Sequence, residues 1–209
     1  MPLAEYFSRI PSITLYDPLA EVLGATDDGL IEYTFADAVK LAGHACPTVA
    51  GAWLATIRGL GALYGSDTPV RGQIAVALPE TVEEGVTGVI GSIATLLTGA
   101  AGAGGFKGLG GRYRRRDLLS FGITGVSGIR LTRRDTGASV DSTAQLHRVP
   151  GDPRMSELLP CILGGTATPE DVMLFRELWQ DRVRRILVDH VSDPELVEIR
   201  YLTASGNPS

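Results

Sequence analysis

Residues 85–106 hold no charged side chain, and a run of this length approaches the ~20 apolar residues that cross a bilayer. Either a membrane covers it or the rest of the chain must. Its glycines argue for the second. Gly99, Gly102, Gly104 and Gly105 crowd the latter half, and glycine costs about 1 kcal/mol relative to alanine inside a helix. Residues 86–98 are therefore expected as a buried helix, and residues 99–111 as a loop. That placement needs a large core. A chain of 209 residues with 44% hydrophobic and 21% charged residues can supply one, as a single domain. A net charge of −5 argues against a nucleic-acid partner, which would want a basic surface. Glu5, Arg9 and Asp17 interrupt any secretory h-region, and Cys46 and Cys161 are too few for a disulfide framework. The expectation is a soluble, cytoplasmic protein with no membrane partner.

Periodicity and caps outline the elements. Pro2, Pro11 and Pro18 punctuate residues 1–32, which are expected as an N-terminal arm against a neighbour. Thr34 and Asp37 have the spacing of a capping box, followed by a short helix to Gly43. Pro47 is suited to the first position of the next helix, along Val49, Trp53, Ile57, Leu60 and Leu63 to Gly65. Strands are expected at 73–78, fully buried, and at 118–123, 129–133 and 140–149, with a turn at Asp135-Thr136-Gly137. A short helix follows near 155–159. Thr168, Pro169, Glu170 and Asp171 then start a long helix to His190, roughly 33 Å at ~1.5 Å per residue. Such a helix commonly reaches a neighbouring subunit. Residues 196–201 read as a strand before a disordered tail at 202–209. The class is α+β, a mixed or antiparallel sheet with packed helices.

Chemistry concentrates at Gly43-His44-Ala45-Cys46-Pro47. Imidazole and thiolate suit zinc and other late transition metals, and a cysteine before a helix start lies where the dipole favours thiolate. Two ligands are fewer than zinc wants, so Glu80, Glu83 and Glu84 are the place to seek a third. A carboxylate cluster at a helix start has a plain structural role as well. The glycine loop matches no nucleotide-binding fingerprint, but its amides with Arg112, Arg114, Arg115 and Arg116 have the makings of an anion cradle; a solvated basic turn is the simpler expectation. His147 and His190 read as surface or helix-end histidines. Cys161 reads as a small buried hydrophobe.

Taken in order, Gly43-His44-Ala45-Cys46-Pro47, the later Thr98-Gly99 with its glycine loop, and the capped helix from Thr168 resemble the FmdE-like family. These are proteins similar to the FmdE component of formylmethanofuran dehydrogenase, marked by a GHxCPG signature. The resemblance spans about residues 30–190 and implies an FmdE-like α+β domain over 33–201, dimeric, binding zinc through the signature residues, here His44 and Cys46. Several family positions differ. Ala42 stands where a further His is common, Thr48 where the signature has Gly, and Ala100 where the loop carries Cys. Residues 84–89 lack the Cys that follows the central strand, and the usual Cys-rich zinc-ribbon segment is not in this sequence.

The expectation that results is a homodimer holding zinc or another transition metal at His44 and Cys46, with Glu84, or Glu80, completing the shell. An open coordination position there would activate water or polarise a carbonyl. The alternatives are a carrier or sensor for haem or another metallocofactor, and a structural dimer with a degenerate site.

Overall fold

The computed structural model describes residues 4–202. The part of the expected tail beyond Leu202 lies outside them. Residues 5–33 do not form an arm. A 3-10 turn (Glu5–Arg9) leads into β1 (Ile13–Tyr16), α1 (Pro18–Val22) and β2 (Leu30–Tyr33), and β1 pairs antiparallel with β2. Leu15 is fully buried, and Tyr6 and Ile10 nearly so. Edge-to-face contacts run from Tyr6 to Phe7, Phe35 and Trp53, with centroids 4.9, 5.3 and 6.0 Å apart. Each such pair adds about 0.5–1.5 kcal/mol beyond area burial, so the segment stays on its own core. Asp17-Pro18 is itself a helix start: the Asp17 carboxylate accepts from the Leu19 and Ala20 amides.

The helices begin where their caps say. α2 (Phe35–Ala42) opens on the return half of the box, with Asp37 accepting from the Thr34 amide and hydroxyl, both at 2.9 Å. It stops at Gly43, whose φ of 76° suits only glycine well. α3 (Pro47–Tyr64) is the central helix, with Val49, Trp53, Leu54 and Leu60 fully buried. The uncharged run divides as expected: α4 (Thr87–Thr98) is the helix, and loop follows. No described helix is long and apolar enough to cross a membrane.

A five-stranded mixed sheet backs α3. β3 (Ile74–Ala77), β4 (Leu119–Ser120), β5 (Ile129–Arg133), β6 (Ser139–Ala144) and β7 (Val197–Leu202) lie in the order β4-β3-β5-β6-β7. Only β3 and β4 are parallel. Strand β3 is not fully buried: Ile74 and Val76 are covered while Ala75 and Ala77 are half-buried, because only one sheet face carries helices. The expected strand at 140–149 ends at Ala144, where its partner begins at Val197, and turns into a 3-10 segment (Leu146–Arg148). Gly59 lets α3 approach the sheet, since a Cβ there would lie 2.6 Å from Leu131 Cδ1.

The outer face holds a buried carboxylate. Asp141, 1% exposed at its side chain, accepts from Arg130 at 2.7 and 3.0 Å, from Arg200 at 2.5 Å and from the Ser127 amide at 3.1 Å. Burial raises its pKa, but the bonds to Arg130 and Arg200 outweigh that and hold it below the ordinary carboxylate value.

Beyond the sheet, α5 (Arg154–Leu163) and α6 (Pro169–Arg184) form a hairpin, and α6 widens into a π-type turn (Arg185–Asp189) with His190 N–H bonded to the Arg185 carbonyl. Here too Asp171 accepts from both the Thr168 amide and hydroxyl. No residue of α5 is buried, and in α6 only Val183 is.

Candidate functional site

The signature residues occupy the α2–α3 junction, and the structure does not bring them to one site. Cys46 is the N-cap of α3, buried, with Sγ accepting from the Val49 amide at 3.4 Å. His44 is exposed, with Nδ1 at 2.9 Å from the Ala42 carbonyl oxygen. A carbonyl only accepts, so Nδ1 donates and Nε2 is the free nitrogen, the tautomer a ligating imidazole uses. His44 lines a small hollow with Leu41, Ala42, Val89, Ser92 and Ile93. Cys46 lines neither that hollow nor the larger cavity below. The Ala45 carbonyl between them accepts from Trp179 Nε1 at 2.9 Å and Gln180 Nε2 at 3.4 Å, which fastens α6 onto the junction.

The glutamates are engaged elsewhere. Glu84 Oε2 accepts from the Thr81 amide at 2.9 Å and its hydroxyl at 3.2 Å, ordering the turn before α4. Glu80 Oε2 accepts from Thr87 Oγ1 at 2.6 Å. Neither the hollow beside His44 nor the cap at Cys46 includes a carboxylate. Among the described residues no group of three or more His, Cys, Asp or Glu is assembled to hold a metal ion. A closed zinc shell wants four donors, and a catalytic one three with an open position, so His44, Cys46 and Glu84 do not fit zinc as placed.

A roomier concavity than the hollow beside His44 lies one turn further along α3. A cavity of about 250 Å³ has Gly51, Ala52 and Ala55 as its floor, with walls from α4, the segment after β3, and strands β5 and β6. It exceeds the ~150 Å³ that accepts one benzene and falls below the ~300–1,000 Å³ of drug-sized sites. Haem does not fit: the space is small, and neither His44 nor Cys46 reaches it as an axial ligand. Its lining is aliphatic apart from Glu80 and the hydroxyls of Thr48, Thr87, Ser142 and Thr143. Thr48, which stands where the resembled signature has Gly, is part of that wall. Sequence spacing points to the two residues before the helix; the signal for the cavity is the run of small residues along its face.

The glycine loop holds one of its own arginines. Arg115 is 7% exposed and packs where Cβ atoms on Gly72 and Gly99 would lie 2.5 and 2.6 Å from its Nη1. Its Nη2 donates to Asp17 Oδ1 at 2.5 Å, and Arg71 Nη1 donates to Asp17 Oδ2 at 2.6 Å. Burial lowers the Arg115 pKa, opposed by the Asp17 charge. The turn is not wholly solvated, because Arg115 is pulled inward by a carboxylate 98 residues away, while Arg112 and Arg114 are exposed. Cys161 is exposed, not buried, since α5 lies off the core. His147 is exposed, and His190 Nδ1 lies 3.2 Å from Asp193 Oδ2 at the end of the long helix, as helix-end placement predicts. The chain matches no family model, and no curated protein matches it.

Proposed function

We propose that this protein binds a small, largely apolar molecule in the cavity between α3, α4 and the sheet. The observation that carries this reading is the lining itself: an aliphatic concavity with a few polar groups is what small-molecule sites share. An FmdE-like domain belongs to the same proposal, with the signature serving as a helix junction. Its residues start the helix whose first turns make the cavity floor, which supports the two together.

A neutral probe tests it. Cyclohexylmethanol is expected to raise the melting temperature of the protein in a saturable way. Ile90 lines the cavity and is only half-buried, so Ile90→Trp fills the space at little cost to the fold. In that variant the shift is expected to vanish while unliganded melting stays close to wild type. Binding unchanged by Ile90→Trp would show that the probe sits elsewhere.

A homodimer is the second part of the proposal, supported by the α5–α6 hairpin. Leu163 is 80% exposed, and Leu159 and Met173 are exposed beside it. The same chain also exposes an apolar groove at Leu41, Val82, Leu96 and Phe121.

A further inference from the structure

We propose that the ligand of the cavity carries a cationic donor head, of which a protonated primary amine is the simplest form, seated on Glu80; this rests on the cavity being a binding site. Glu80 is the only ionisable residue in the lining. Its Oε2 is held by the hydroxyl of Thr87, which is itself only 2% exposed, so the carboxylate is fixed at the wall. Among the described residues no Lys, Arg or His forms an ion pair with it. The other polar groups are weaker candidates for recognising a charge. Ser142 Oγ already donates to the Ala55 carbonyl at 2.7 Å, and Thr143 Oγ1 lies 3.3 Å from Ser127 Oγ.

An ionised carboxylate only accepts hydrogen bonds, so the group that meets it must donate. Leu78, Val86, Ile90 and Leu146 surround the remaining space and exclude a polar body. An anionic ligand has one argument in its favour, because the first turns of α3 and α4 both reach this cavity and each helix start carries about half a positive charge. Glu80 answers it. The carboxylate is bonded to the first residue of α4, so a full negative charge already stands at that helix start and repels a second anion.

Three probes of one shape separate the outcomes in calorimetric titrations of the full chain. Cyclohexylmethylamine is expected to bind about tenfold tighter than cyclohexylmethanol, the size of a charge-assisted hydrogen bond in a partly solvated site. Cyclohexanecarboxylate is expected to bind weakest. Glu80→Gln keeps the side-chain shape, and the exposed position leaves the fold intact, which the melting temperature checks. In that variant the amine should fall to the level of the alcohol. Equal affinity of amine and alcohol in the wild type overturns the cationic head, as does a preference for the carboxylate or an amine preference that survives Glu80→Gln. If amine and alcohol bind equally and both are lost in Ile90→Trp, the cavity reading stands and only the cationic head fails. If none of the three binds, both fall.

Discussion

Cys46 turns its sulfur onto the Val49 amide, and His44 turns one ring nitrogen onto the Ala42 carbonyl, so both side chains satisfy backbone at a helix–helix junction. The spacing of the two residues was legible in sequence; their directions were not, because a cap and a ligand call for the same residue types before a helix. This division predicts how they tolerate change. Cys46→Ser keeps a good capping oxygen and should unfold in urea much like wild type, whereas Cys46→Ala should lose about 1 kcal/mol. His44→Ala, at an exposed position, should stay within about 0.5 kcal/mol. Dialysis against a chelator should leave all of these midpoints where they were. A wild-type midpoint that drops on chelation, with no such drop in Cys46→Ser, would restore the sulfur to a metal shell.

At the level of elements, the parts written in local chemistry were readable. Thr34 with Asp37 and Thr168 with Asp171 announced α2 and α6, Pro47 announced α3, and the alternation of Ile129 and Leu131 marked β5 within its true bounds. What failed depended on distant partners. The hairpin of β1 and β2 is held by Leu15 and by the aromatic contacts from Phe7 to Phe35, none of which leaves a periodic trace. Arg115 reads as one of a row of surface arginines until Asp17 is placed beside it. The sheet likewise conceals Asp141 between Arg130 and Arg200. Asp141→Asn leaves those guanidiniums without their carboxylate and should cost about 3 kcal/mol at pH 7. Because the folded pKa is lowered, the stabilising charge is fully present above the ordinary Asp value of ~3.9 and is lost as pH falls through the folded one. Urea midpoints of wild type and Asp141→Asn should therefore keep a constant gap down to about pH 4 and draw together only as pH falls further, through the folded pKa. A gap that never narrows would remove the charge from the account.

The whole molecule is a sheet covered on one face by α3 and α4, with a helical hairpin that its own body does not cover. Large apolar side chains of that hairpin, among them Leu158, Leu159, Ile162, Leu163, Met173 and Phe175, remain at least partly solvent-accessible, more than a lone folded unit is expected to leave together. Light scattering after gel filtration should give twice the monomer mass at micromolar concentration. The double variant Leu159→Glu and Leu163→Glu should run as a folded monomer, since neither side chain belongs to the core. A wild-type monomer would leave the hairpin to some other partner. One further property of the whole follows from Arg71. Its guanidinium grips the Leu96 and Leu97 carbonyls at the far end of α4 and Asp17 beyond them, so that end is moored to the N-terminal hairpin. At the near end, beside the cavity, Thr87 bonds Glu80, and Glu84 ties the preceding turn to Thr81. A guest that drew the Glu80 carboxylate off Thr87 would leave the hydroxyl of that residue, only 2% exposed, to find another acceptor, so occupancy of the cavity would be felt at the first residue of α4.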